Sequence, residues 1–255
     1  MIIVPGRFGG TSAQPAAEDI REGRKGAMTP SELFATWLVA AGTLVLAVVA
    51  VFQDAIRGWF YQPRLQVSIR TAPPDCVKVA LTNQYTGAPV ADTIHLRLQV
   101  ENVGRLTAKN VEVYARELRR QRVDGTWENV SSFPPMNLVW ASIGGMYMLN
   151  LSPRMSKHCD LGHIVDPAQR SQVPGEESPN LELDNETTSL TFSVIAPPNH
   201  MGHIIGPGQY QLEILAGAEN VPALRATLLI LLHGAWHDDE ATMLRDGVGV
   251  TIENG

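Results

Sequence analysis

The chain has 255 residues, two cysteines and a formal net charge of -6, with 44% hydrophobic and 6% aromatic side chains. Its basic residues are scattered rather than gathered in a stripe, which argues against a nucleic-acid-binding face, and two cysteines are too few for a disulfide scaffold. Once the N-terminal portion is set aside, the chain from Tyr61 onward suits one sandwich with an insertion better than two separate domains.

Residues 1–30 are rich in Gly, Ala, Pro and Arg and lack apolar periodicity after Val4, the composition of a disordered leader. Met28 opens MTPSELFATW, in which Thr29 is placed to cap a helix, Pro30 takes its first position and Glu32 stands at capping-box spacing. Translation from Met28 is therefore an alternative start. From Leu33 to Gln53 the run LFATWLVAAGTLVLAVVAVFQ contains no charged side chain. Roughly 20 apolar helical residues match a hydrocarbon core of about 30 Å. The run is longer than a signal-peptide core, so the expectation is a retained single-pass anchor, with residues 31–60 forming the span and its collar.

The collar is Arg57, Trp59, Phe60, Tyr61 and Arg64, with rings suited to the headgroup layer and guanidinium groups within reach of lipid phosphates. On the full chain Arg21, Arg24 and Lys25 balance Arg57, Arg64 and Arg70. A chain beginning at Met28 carries no Lys or Arg before the span. The positive-inside rule then places the C-terminal domain in the cytosol, at the inner membrane of a bacterium.

Beyond the collar the pattern is β. Leu65, Val67 and Ile69 alternate with polar residues until Pro73-Pro74, and a short strand is expected over Val77–Leu81. Ile94, Leu96, Leu98 and Val100 then face one way, with His95, Arg97, Gln99 and Glu101 facing the other. A turn at Asn102-Val103-Gly104 leads to Val111, Val113 and Ala115. The stretch HLRLQVENVGRLTAKNVEVYARELR, with Asn102, Gly104, Ala108 and Asn110-Val111 at its centre, resembles the paired strands of immunoglobulin-like bacterial domains of the CARDB type, the cell-adhesion-related domains found in bacteria. The resemblance covers about a tenth of the chain. It implies a Greek-key sandwich used as a structural and binding scaffold, and carries over no catalytic residue. The residues also make sense without it: Asn102 and Gly104 tolerate turn conformations, and Ala108 permits close approach.

From about 123 to 184 the alternation is lost and the segment reads as a long insertion. Asp124-Gly125 suits a hairpin turn before Trp127, while Phe133–Ile164 is too apolar for a solvated loop and is expected to pack over a sheet face or edge. Pro167–Asn180 reads as an exposed, mobile loop. Strands resume with Leu190, Phe192 and Val194, then with Tyr210, Leu212, Ile214 and Ala216. The last expected strand, Leu224–Leu232, is apolar on both faces, as if covered twice, with Trp236, Met243 and Leu244 as the cover and Asp238, Asp239 and Glu240 as a solvated helix start.

Few residues suggest chemistry. His158, Cys159 and His163 are metal-ligating types, but in a strand His158 and Asp160 share one face while Cys159 takes the other. A buried structural cysteine among exposed polar groups is the preferred reading. His200 with His203, and His233 with His237, lack the glutamate of a zinc-protease helix, and neither a nucleophile elbow nor a phosphate-cradling glycine loop is present.

No catalytic residue and no cofactor is assigned, so the expectation is a membrane-anchored β-sandwich that binds, senses or assembles. Its partners would be the bilayer, through residues 33–53, and another protein, with Trp140, Met146 and Tyr147 as candidate contacts. Those three are weighed against a plain role in capping the core. One alternative is a tethered metal-dependent hydrolase using loop histidines. Another is a structural subunit of an envelope or defence complex, packed through the small residues Ala40, Ala41, Gly42 and Ala47 of the span.

Overall fold

In a computed structural model the described residues are 28–83, 85–179 and 181–253, and the side chains of 54–60 are outside the description. Residues 1–27 of the leader, with Arg21, Arg24 and Lys25, lie outside the described residues, as do the side chains of Arg57, Trp59 and Phe60. The chain divides after Asp54 into two units.

Helix α1 spans Pro30–Phe60, several residues beyond the apolar run. The capping box is formed: Thr29 N–H donates to Glu32 Oε2 at 2.8 Å, and Glu32 N–H reaches Thr29 Oγ1 at 3.4 Å. Pro30–Gln53 is long and apolar enough to cross a membrane, about 36 Å at 1.5 Å per residue. None of the helix face from Pro30 to Gln53 is buried against the described residues, and it is apolar all round. Thr36 and Thr43 donate their hydroxyls to the carbonyls four residues back, each at 2.8 Å, so neither is left unpaired on the apolar surface.

The larger unit is a sandwich of two antiparallel sheets, the mainly-β class expected after the N-terminal helix. The first is built from β1 (Leu65–Ser68), β2 (Cys76–Thr82), β3 (Pro89–Asn102), β7 (Val139–Trp140), β9 (Ser156–Val165), β10 (Leu190–Phe192) and β11 (Ile204–Ile205). The second contains β4 (Ala108–Gln121), β5 (Trp127–Asn129), β6 (Met136–Asn137), β8 (Met148–Leu151), β12 (Gly208–Ala218), β13 (Val221–Leu232) and β14 (Val248–Glu253). Their inner faces interdigitate as the period of two dictates: Ile94, Leu96, Leu98 and Val100 from β3 meet a core shared with Val111, Val113 and Ala115 from β4.

Three features differ from the linear reading. The segment read as an insertion supplies β9, which lies between β3 and β10 in the middle of the first sheet. Its periodicity is hidden by a bulge: Arg97 pairs with Asp160 and Leu96 with Gly162, leaving Leu161 extra. Side-chain parity reverses there, so Cys159, Leu161 and Ile164 are all buried although they break a strict alternation. The loop after β9 is also not simply exposed, because Arg170, Glu176 and Ser178 within it are buried. Finally, β13 is not covered on both faces. Leu228, Ile230 and Leu232 are buried while Leu231 is 37% exposed. Met243 and Leu244 do enter the core, as expected, and the tail then adds β14 along the edge of β13.

At one end of the sandwich Asn102, fully buried, gathers three segments. Its Oδ1 accepts from Arg64 N–H at 3.2 Å and Gly104 N–H at 3.0 Å, and its Nδ2 donates to Leu106 O at 2.7 Å and Leu151 O at 2.8 Å. Its backbone adds bonds to Met155 O and from Arg154 N–H. Gly104 lies so close to the entering chain that a Cβ would stand 2.4 Å from Arg64 N and 2.5 Å from Gln62 O. Asn102→Ala leaves several buried backbone groups unpaired and should lower stability by about 3 kcal/mol in denaturant titration of the detergent-solubilised protein. Gly104→Ala should be destabilising too, by forcing residues 62–64 away.

Candidate functional site

Two places bring sequence-predicted candidates together with oriented polar groups. The first is a groove of about 610 Å³ on the outer side of the second sheet, lined by Asn110, Glu112, Tyr147, Ala218, Glu219 and Val221 among others. Asn110 and Glu112 are the outward residues of β4, flanking inward Val111, while Glu219 sits in the β12–β13 turn. Asn110 takes a φ of 50°, a left-handed conformation that asparagine tolerates, and its Nδ2 donates to Glu219 Oε1 at 2.7 Å. Asn137 Nδ2 donates to Glu112 Oε2 at 2.9 Å. Two oriented carboxylates therefore rim an apolar floor, with no cation within ion-pair distance of either among the described residues.

The three candidate contacts separate here. Tyr147 is 45% exposed and lines the groove, and Met146 is half-buried. Trp140 is fully buried and belongs to the core; its indole N–H is shared between Val111 O and Met146 O, each at 3.1 Å. It acts on the groove only indirectly, by fixing the backbone that carries Tyr147 to the start of β4. Of the collar, Tyr61 is 50% exposed with the Arg105 guanidinium 5.8 Å from its ring centroid, and Arg64 is exposed.

The second place is the outer face of the first sheet. Here the bulge brings His163 onto the same face as His95, His158 and Asp160, and the His95 and His163 rings stack at 5.6 Å. Glu176, from the loop after β9, bridges His163 Nε2 and the Thr191 hydroxyl, each at 2.7 Å. Burial alone would raise the Glu176 pKa, but the hydrogen bonds and charge of its partners outweigh it and hold the carboxyl below its usual range. Burial pushes the His95 imidazole down to about 4, with His163 and Arg97 acting the same way, and burial lowers His203 also.

His158, by contrast, pairs with Asp75 at 3.1 Å. That carboxylate is fully buried, which opposes its charge, yet bonds from Arg70 and His158 keep its pKa low. Cys159 points inward and donates its thiol to Val139 O at 3.3 Å, with burial raising its pKa; Cys76 is pushed up to about 11 by the same cause. Both cysteines are free. The three weak metal candidates thus face three different environments. Among the described residues no three His, Cys, Asp or Glu side chains converge to hold a metal ion.

Glu176 and Thr191 carry no periodic or motif signal, so their meeting with His163 was not legible before folding. The arrangement acts as a clasp: a carboxylate bonded on both oxygens secures the loop to the sheet. No protein-family model and no curated protein sequence matches the chain.

Trp140→Ala should cost about 3–5 kcal/mol by cavity formation, whereas Tyr147→Ala should change stability by no more than about 0.5 kcal/mol. Denaturant titration of both variants checks this. The sheet face also predicts acid sensitivity. His95, held neutral in the fold, takes up its proton more readily when unfolded, so stability should fall as pH drops from 6.5 towards about 4. Glu176, with its depressed pKa, adds a further loss at lower pH, as it is protonated in the unfolded chain and then in the fold. His95→Gln should flatten the upper part of that profile and leave the lower part.

Proposed function

We propose that the protein is a single-pass, membrane-anchored binding and assembly module that holds a protein partner in the groove at Tyr147. The observation that carries this reading is the groove itself: a half-exposed tyrosine and small apolar residues between two carboxylates with no cation in ion-pair distance among the described residues. Such a surface suits a segment presenting a Lys or Arg beside an apolar side chain, because the cation supplies the missing charge and the ring a face for its stem. Among the described residues no group beside the groove is arranged as a nucleophile with its base, and the role we assign is binding.

The anchor is Pro30–Gln53, and the domain is assigned to the cytosolic side. For a chain translated from Met28, the absence of Lys and Arg before the span supports this orientation, as do two free, buried thiols that suit a reducing compartment. The CARDB-type reading belongs to the same proposal. In its support, Asn102 closes the end of the sandwich and Gly104 admits the entering chain, roles that account for two of the residues that carry the resemblance.

A photo-crosslinking residue in place of Tyr147, in the full chain in native membranes, should capture a discrete protein partner. Glu112→Lys combined with Glu219→Lys should abolish the adduct without altering the amount of membrane protein. An adduct insensitive to both reversals would overturn the groove assignment. A cytosol-active reporter fused at Gly255 should be active, and activity of a periplasm-dependent reporter there would reverse the orientation.

A further inference from the structure

The sandwich end gathered by Asn102 carries three stretches, 61–64, 103–107 and 152–157, the last running into the start of β9. In sequence these are YQPR, VGRLT and SPRMSK, with four basic residues and no acidic one, in a chain whose net charge is -6. Their tips alternate apolar and basic groups. Tyr61 is 50%, Val103 45%, Leu106 45% and Met155 48% exposed, beside exposed Arg64, Arg105, Arg154 and Lys157. Among the described residues none of these four cations has a carboxylate within ion-pair distance. At the opposite end of β4, Arg119 and Arg122 are paired with Glu117 and Glu128. One end of the sandwich is therefore charge-balanced and the other basic with apolar tips.

The tether adds a second constraint. The uncharged run ends at Gln53 and α1 continues to Phe60, so at 1.5 Å per residue Tyr61 follows the run's end by only about 12 Å. Residues 62–64 are then bonded into the basic end through Asn102, Val103 and Arg105. The chain has little slack between the end of the span and this surface.

We infer that the basic end of the sandwich, formed by Arg64, Val103, Arg105, Leu106, Arg154 and Met155, seats on the headgroups of an anionic lipid surface. The exposed apolar tips enter the interfacial layer and the unpaired cations meet lipid phosphates. This inference rests on the membrane-anchored reading and adds a defined orientation of the domain, in which the β4–β5 turn points away from the bilayer.

The test uses the full chain in lipid nanodiscs of phosphatidylcholine alone or mixed with phosphatidylglycerol. A bimane fluorophore is attached at Val103→Cys, at Met155→Cys or, as the distal reference, at Val123→Cys; lipids spin-labelled at the headgroup serve as quenchers. Strong quenching is expected at 103 and 155 in the phosphatidylglycerol discs, with little at 123. Arg105→Glu together with Arg154→Glu should weaken the seated population by about fivefold per residue changed. Equal quenching at the two ends, in a protein that remains in the disc, overturns the inference while leaving the anchor intact. Quenching that ignores both phosphatidylglycerol and the charge reversals also overturns it. Failure of the wild-type chain to enter discs at all overturns the anchored reading on which it stands.

Discussion

A single buried amide closes the end of the sandwich where the chain enters. The Asn102 side chain uses its oxygen for two N–H groups and its nitrogen for two carbonyls, so all its principal hydrogen-bonding capacity is spent on backbone that no sheet ladder serves. Those partners belong to the incoming chain at Arg64, the β3–β4 turn and the end of β8. Because an unpaired buried backbone group is expensive, the three segments must stay together for the fold to close. The geometry of β1, β4 and β9 at that end follows from this constraint.

The same closure links the entering chain to the groove. The chain that leaves the membrane-length helix is secured within a few residues to the rigid body of the sandwich, and β4 leads from that junction directly to the groove at Asn110 and Glu112. Trp140 completes the connection from beneath, since its indole ties the Met146 carbonyl to that of Val111. Tyr147 is thereby presented from a braced loop rather than a free one. The clasp at Glu176 does comparable work on the opposite sheet, covering stacked histidines with a loop whose buried polar groups would otherwise need water.

The membrane-length helix and its capping box were legible in the sequence because both depend on neighbours in the chain: an uninterrupted apolar run, and the spacing from Thr29 to Glu32. The strands around Leu96 and Val113 were equally legible, since a period of two survives wherever the ladder is regular. β9 was obscured by its bulge at Leu161, which reversed the inward face halfway along the strand. The metal-like group His158, Cys159 and His163 is the imprint of that reversal: a core thiol between two outward histidines with different partners. Tyr147 was identified with Trp140 from composition, but composition alone does not separate a ring that lines a groove from one that fills the core.

The sequence by itself therefore determined the apolar span, the mainly-β character of the remainder and the sidedness of its regular strands, all consequences of local periodicity and length. Only the tertiary structure decided which loop residues become buried partners, where the groove opens, and that one end of the sandwich collects cations without an ion-pair partner among the described residues. Those features join residues well separated in sequence, such as Arg64 with Asn102, 38 positions apart, and Glu176 with His163, 13 apart. Their pairing follows from the hydrogen-bonding demands of buried polar groups in three dimensions, which no pattern along the chain records.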